Sequence, residues 1–235
     1  MNYKKLGIVS LLMVILSILT SNISIFILWL YLFLVVYFKA FIPNRKKRLG
    51  LFILRRCLYI ILFLLPTIST LIYFKIINIY YPKSILYLLV SVLFPLIYQF
   101  AKMWGKNIKD TSLLLALTIP HKPIIFIIHA LFLLLNSIAE EGIFRITLST
   151  VSSNKFIQFI TSLIIFVFIH NINYFSLNNK TYRIKKIVLY FVATLFLWLL
   201  YWTSNNFIYP IIAHIAFNIP SIYIYLLAAK TTNTI

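Results

Sequence analysis

The sequence predicts an all-α protein, a polytopic transmembrane helix bundle of about eight spans with both termini on the cytoplasmic side. Three observations predict it. Hydrophobic residues fill 63% of the 235 positions and charged residues only 11%, whereas a water-soluble domain carries roughly a quarter charged residues. The apolar residues fall in runs that approach the ~20 needed for a helix to cross a hydrocarbon core. The basic residues sit in short clusters between those runs, as membrane orientation requires and as a nucleic-acid-binding face does not.

The runs are taken in order. Residues 6–20 follow Lys4 and Lys5, the layout of a secretory signal. No small-residue cleavage site follows, and Thr20, Ser21 and Asn22 make only a polar break, so the run reads as a retained signal anchor. The chain returns at once over 23–42, and then over 51–74, 85–100, 124–149, 156–175, 187–203 and 207–227. Residues 111–119, closed by Pro120 and Pro123, are too short to cross and are expected to lie at the interface. Residues 1–110 are thus read as N-terminal helices and 111–235 as the core that carries the chemistry, within one integrated membrane domain. Cys57, the single cysteine, is read as packing.

Charge tests this count independently of hydropathy. Of the 22 Lys and Arg residues, Lys39 lies near a helix end and Arg145 inside a span. Lys75, Lys83 and Lys155 fall outside, and the other 17, Arg55 and Arg56 among them, fall on the cytoplasmic side. That bias obeys the positive-inside rule, and an error of one span would scramble it.

The chain holds three acidic residues. Asp110 lies among lysines, where solvation suffices. Glu140 and Glu141 stand together inside the fifth span, in Asn136-Ser-Ile-Ala-Glu-Glu-Gly-Ile-Phe-Arg145, where an ionisable group costs roughly several kcal/mol unless paired or hydrated. Glu141 and Arg145 are four apart in the favoured order and can pair along one face. Glu140 is turned about 100° away and is available for chemistry. The competing reading is a buried polar lock between helices. His170 lies four after Phe166, and His214 four before Asn218, so each pair shares a helical face. His121 and His129 are read as interfacial.

These residues resemble a known family. Glu140-Glu141-Gly-Ile-Phe-Arg145 looks like the EExxxR motif of the CPBP intramembrane proteases, which include the type II CAAX prenyl proteases and bacterial proteins linked to bacteriocin self-immunity. Phe166 to His170 resembles its FxxxH motif and His214 to Asn218 its HxxxN motif, in the same order. The resemblance implies an endopeptidase in which Glu140 and His170 hold and deprotonate water while His214 and Asn218 stabilise the oxyanion, with Glu141, Arg145 and Phe166 in support. No cofactor is expected. A zinc ion held by Glu140, His170 and His214 is the alternative, although the spacing is not that of a zincin and Asn218 is a poor zinc ligand. The expected partners are a membrane peptide or protein substrate and a bilayer with an anionic inner leaflet, without nucleic acid, in a multi-pass protein of the cell membrane. Two other functions fit the same residues: a non-catalytic immunity or partner-binding protein, and a transporter with a proton relay through Glu140 and His170.

Overall fold

In the computed structural model, which describes residues 3–41, 49–73, 84–103, 111–114, 123–171 and 180–232, every described element is helical. The helices are α1 (Tyr3–Leu19), α2 (Ile23–Phe41), α3 (Leu49–Tyr73), α4 (Ile85–Met103), α5 (Pro123–Glu141), α6 (Leu148–Val151), α7 (Lys155–Asn171), α8 (Lys180–Ser204) and α9 (Ile208–Thr232). A π-helical segment, Gly142–Thr147, joins α5 to α6. Residues 111–114 make one further helical turn.

Among the described residues, four helical stretches are long and apolar enough to cross a membrane: Gly50–Tyr73, Pro123–Val151, Ile187–Ser204 and Ile208–Thr232. Val9–Leu19, Ile23–Val35, Ile85–Gln99 and Lys155–His170 are shorter apolar helices. Each therefore falls on one of the eight apolar runs of the sequence. The boundaries differ where polar residues extend a helix. α8 begins at Lys180 rather than near Ile187, because lysine and arginine are good helix formers that hydropathy discounts. α9 likewise continues through Lys230 to Thr232. The fifth run is not one uniform α-helix but is interrupted by the π segment. Of the expected interfacial stretch, 115–119 lie outside the described residues.

The short breaks are built by asparagines and residues at positive φ. Ser21 (φ 49°) and Asn205 (φ 48°) reverse the chain after α1 and α8 in the left-handed region. Asn22, Asn154 and Asn206 then cap the next helix, their Oδ1 atoms accepting from the backbone N–H groups of Ser24, Phe156 and Ile208 at 3.0, 2.9 and 2.9 Å. Pro66, Pro95 and Pro220 lie inside helices, and the Thr70 hydroxyl bonds the Pro66 carbonyl at 2.8 Å.

Paired contacts give the direction of each helix. His214 meets Glu141, Asn218 meets Ser137 and Tyr225 stacks on His129, so α9 runs antiparallel along α5. Arg56 meets His129 while Thr67 meets Thr147, so α3 runs parallel to α5. Ser84 bonds Tyr209 and Gln99 bonds the Phe217 carbonyl, so α4 runs parallel to α9. The largest buried cluster joins α1, α2, α3, α5 and α7 around Trp29, Phe63, Phe144 and Phe166, with Trp29 edge-on to Phe168 at 5.1 Å. A second cluster, on Leu197, Tyr209 and Phe217, joins α8 and α9 with α4 against them. Large aliphatic side chains such as Ile61, Ile97 and Leu131 are exposed on the outside, which suits a surface solvated by acyl chains.

Candidate active site

The π segment begins one residue after the paired glutamates, and all six of its residues are buried. Gly142 is required there by close approach of α3. A Cβ at that position would lie 2.8 Å from Thr67 Oγ1 and 2.9 Å from its Cγ2. The two helices can therefore press together where the acids sit, and a π turn at such a point re-aims the side chains that follow it.

Arg145 Nε donates to Glu141 Oε2 at 2.9 Å, with the two side chains 1% and 0% exposed. This is the pair expected from the sequence, and it is fully sealed from solvent. The second oxygen of the same carboxylate, Oε1, lies 2.8 Å from His214 Nδ1. Glu141 thus does more than cancel a charge. It fixes the His214 ring, with Nδ1–H donating to the carboxylate and Nε2 turned the other way.

Glu140 occupies the opposite side of that ring. Its Oε2 lies 3.7 Å from His214 Nε2 and 3.3 Å from His170 Nε2. His170 is set by its own helix: Nδ1 lies 2.9 Å from the Phe166 carbonyl, one turn back, and the ring stacks on the Phe166 ring at 4.0 Å. Phe166 also meets the His214 ring at 5.7 Å, so it is wedged against both imidazoles. Tyr190 of α8 packs on His170 at 4.9 Å and on Phe166 at 6.2 Å. The FxxxH spacing therefore has a physical content, a carbonyl and a ring supplied by one residue to orient the histidine that follows.

Asn218, one turn after His214 on α9, donates through Nδ2 to Ser137 Oγ at 2.9 Å, and Ser137 donates to the Leu133 carbonyl at 3.0 Å. An amide has two N–H donors, so this contact positions the side chain and leaves one donor. Glu140, His170, His214 and Asn218 all line one cavity of about 440 Å³, together with Asn136, Tyr59 and Arg56. The Oδ1 of Asn136 is buried there without a hydrogen-bond partner among the described residues. No group of three or more His, Cys, Asp or Glu is arranged to hold a metal ion among the described residues.

Two residues make contacts that hydropathy and charge do not reveal. His129, read as interfacial, is half-buried, stacked near-parallel on Tyr225 at 4.9 Å and 4.7 Å from the Phe52 ring. Arg56, counted only as an orienting charge, is half-buried on α3 and reaches into the cavity wall, with Nη2 3.4 Å from His129 Nδ1. Both were hidden because an apolar helix near its end tolerates a basic residue for orientation alone, so nothing in the local pattern separates that use from another. Ser137 was missed as well, although it sits in the polar run Asn136 to Glu141 and four residues before Glu141. His121 and Asp110 lie outside the described residues.

Residues 122–220 match a family model described as type II CAAX prenyl endopeptidase Rce1-like. No curated protein and no solved structure matches the chain.

Proposed function

We propose, from the match of residues 122–220 to a family model described as type II CAAX prenyl endopeptidase Rce1-like, that the chain is an intramembrane endopeptidase that hydrolyses a peptide bond of a membrane-associated peptide or protein. The observation that carries this reading is the approach of one carboxylate to two independently oriented imidazoles, Glu140 Oε2 to His170 Nε2 and His214 Nε2 at 3.3 and 3.7 Å, at the wall of a cavity.

In this scheme a water molecule between Glu140 and His170 gives its proton to the Glu140 carboxylate as its oxygen attacks the peptide carbonyl carbon. The carbonyl oxygen becomes an oxyanion facing His214 and Asn218. Preorganised donors at such a position contribute roughly 3 to 4 kcal/mol each in a water-poor site. Collapse of the intermediate breaks the C–N bond, and Glu140 returns the proton to the leaving amine. Glu141 and Arg145 position His214, and Phe166 positions His170.

The bundle is read as eight spans with both termini cytoplasmic. The parallel pairs α3/α5 and α4/α9 and the antiparallel pair α5/α9 are the directions that strict alternation of eight crossings gives those helices. Within it, 1–110 supply supporting helices and 111–235 the catalytic core, with α3 of the first part forming one wall of the site. The cell membrane is the proposed location.

The test is cleavage by purified protein. Glu140→Gln, His170→Ala and His214→Ala are each expected to abolish turnover, roughly 10²-fold or more, while leaving thermal unfolding in detergent near that of the wild type. Undiminished turnover by Glu140→Gln refutes the scheme. A purely binding role in immunity would instead survive that isosteric change, and protection assays with the same variant separate the two. Activity is expected to withstand a zinc chelator; loss on chelation that added zinc restores would move the reaction to a metal held by Glu140, His170 and His214.

A further inference from the structure

The end of the cavity away from Glu140 holds a cation that peptide hydrolysis leaves unused. His129 precedes Glu140 by eleven residues on α5, about 16 Å of helix, and Arg56 lies at the His129 level. It meets the His129 ring, through Nη2 at 3.4 Å, and the Phe52 ring, 5.7 Å beneath the guanidinium carbon, with the Tyr225 and Tyr59 phenols in electrostatic reach. None of these is a carboxylate. The chain has only three acids. Glu141 is occupied by Arg145 and His214, Glu140 lies with His170, and Asp110 falls outside the described residues. Among the described residues no carboxylate forms an ion pair with Arg56.

The site around this guanidinium is built rather than incidental. His129 accepts one N–H at Nδ1, and its ring is itself stacked on Tyr225 and in tilted contact with Phe52. A guanidinium carries five N–H donors in a rigid plane, so donors remain for a bidentate partner. Both Arg56 and Tyr225 line the cavity that Glu140 lines. A half-buried guanidinium with oriented donors and no carboxylate counter-ion among the described residues is complementary to a carboxylate supplied by a ligand.

We propose that Arg56, braced by His129 and Tyr225, is a carboxylate-binding subsite that anchors an anionic group of the peptide whose scissile bond lies at Glu140. Two sources present that chemistry, the C-terminal carboxylate of the peptide and an acidic side chain within it. The proposal rests on the endopeptidase reading for its ligand. Its test is therefore a binding measurement that needs no turnover.

The probes are N-acetyl-Leu-Leu-Leu as free acid, the same peptide as C-terminal amide, and N-acetyl-Leu-Glu-Leu amide, titrated into the full-length Glu140→Gln protein in neutral detergent micelles. The free acid or the glutamate peptide is expected to bind roughly tenfold or more tightly than the neutral amide, as one charge-assisted bidentate contact would give. The winning probe identifies the source of the carboxylate. Arg56→Gln is expected to erase the preference while leaving affinity for the neutral amide unchanged, and Arg56→Lys to retain part of it. Tyr225→Phe, which keeps the ring stack, should keep the preference and serves if Arg56→Gln does not fold. Equal binding of all three probes, or a preference that survives Arg56→Gln, overturns the subsite. An Arg56-dependent preference for phosphatidylglycerol micelles without one for acidic peptides overturns it in favour of a lipid headgroup. If the preference holds but wild type cleaves nothing, the subsite stands and the endopeptidase reading falls.

Discussion

At the scale of single residues, the two adjacent glutamates have separate tasks because their neighbours differ. Glu141 has both oxygens engaged, one by Arg145 and one by His214, whereas Glu140 lies within reach of two imidazole Nε2 atoms. Glu141→Gln offers one carbonyl oxygen where two donors now converge, so His214 loses its orientation or Arg145 its partner. Turnover should fall about 10- to 100-fold with the chain still folded, less than Glu140→Gln costs; a loss equal to that of Glu140→Gln would make the two carboxylates one functional unit. Arg145→Met should act on stability instead. It strips the counter-ion from a sealed carboxylate, a change that typically costs ~3–5 kcal/mol, and the double variant with Glu141→Gln should recover part of it in thermal unfolding. Ser137→Ala releases Asn218 from its only tether among the described side chains. The expected outcome is a lower kcat with KM little changed, since an oxyanion donor matters in the transition state more than in the bound substrate. A change confined to KM would place Asn218 in substrate binding.

At the scale of elements, the three polar patterns on α5, α7 and α9 were legible because each pairs residues at one-turn spacing on a single helix. Their mutual approach was not. Periodicity locates a face but not the helix that it meets, so the second bond of Glu141 to His214, the Ser137 tether and the cavity role of Arg56 emerge only from packing. The π segment was equally hidden, since Gly142 to Thr147 reads as ordinary apolar helix. Gly142 carries the consequence. Gly142→Ala drives a methyl against the β-branched Thr67, whose Oγ1 and Cγ2 lie 2.8 and 2.9 Å from the added atom, and a rigid neighbour on another helix yields only by moving that helix. Overpacking of this kind costs about 1–3 kcal/mol. The substitution should lower both thermal stability and turnover, and Thr67→Ala in the same chain should restore most of both. A Gly142→Ala protein with wild-type properties would show that the α3 contact does not set the position of the glutamates.

At the scale of the whole molecule, two lines of reasoning that share no input agree on the relative directions of the core helices. Hydropathy and the sidedness of 17 basic residues against three come from sequence alone; the relative directions of α3, α4, α5 and α9 come from side-chain contacts between helices. Eight alternating spans satisfy both, whereas removal of any one before α5 would reverse the core and put its basic ends outside. Orientation then follows from charge, because lysine and arginine are retained on the cytoplasmic face. In the proposed topology the Arg56 end of the cavity lies in the cytoplasmic half, together with Lys230 on the last turn of α9. The prediction is tested with single cysteines placed in a Cys57→Ser background and a membrane-impermeant maleimide applied to intact cells. Lys83→Cys and Lys155→Cys should label, while Lys106→Cys and Lys230→Cys should label only after permeabilisation. Labelling of Lys230→Cys together with Lys155→Cys in intact cells would require an even number of crossings from α7 to the end of α9 instead of three, and with it a different arrangement of the helices that carry His170 and His214.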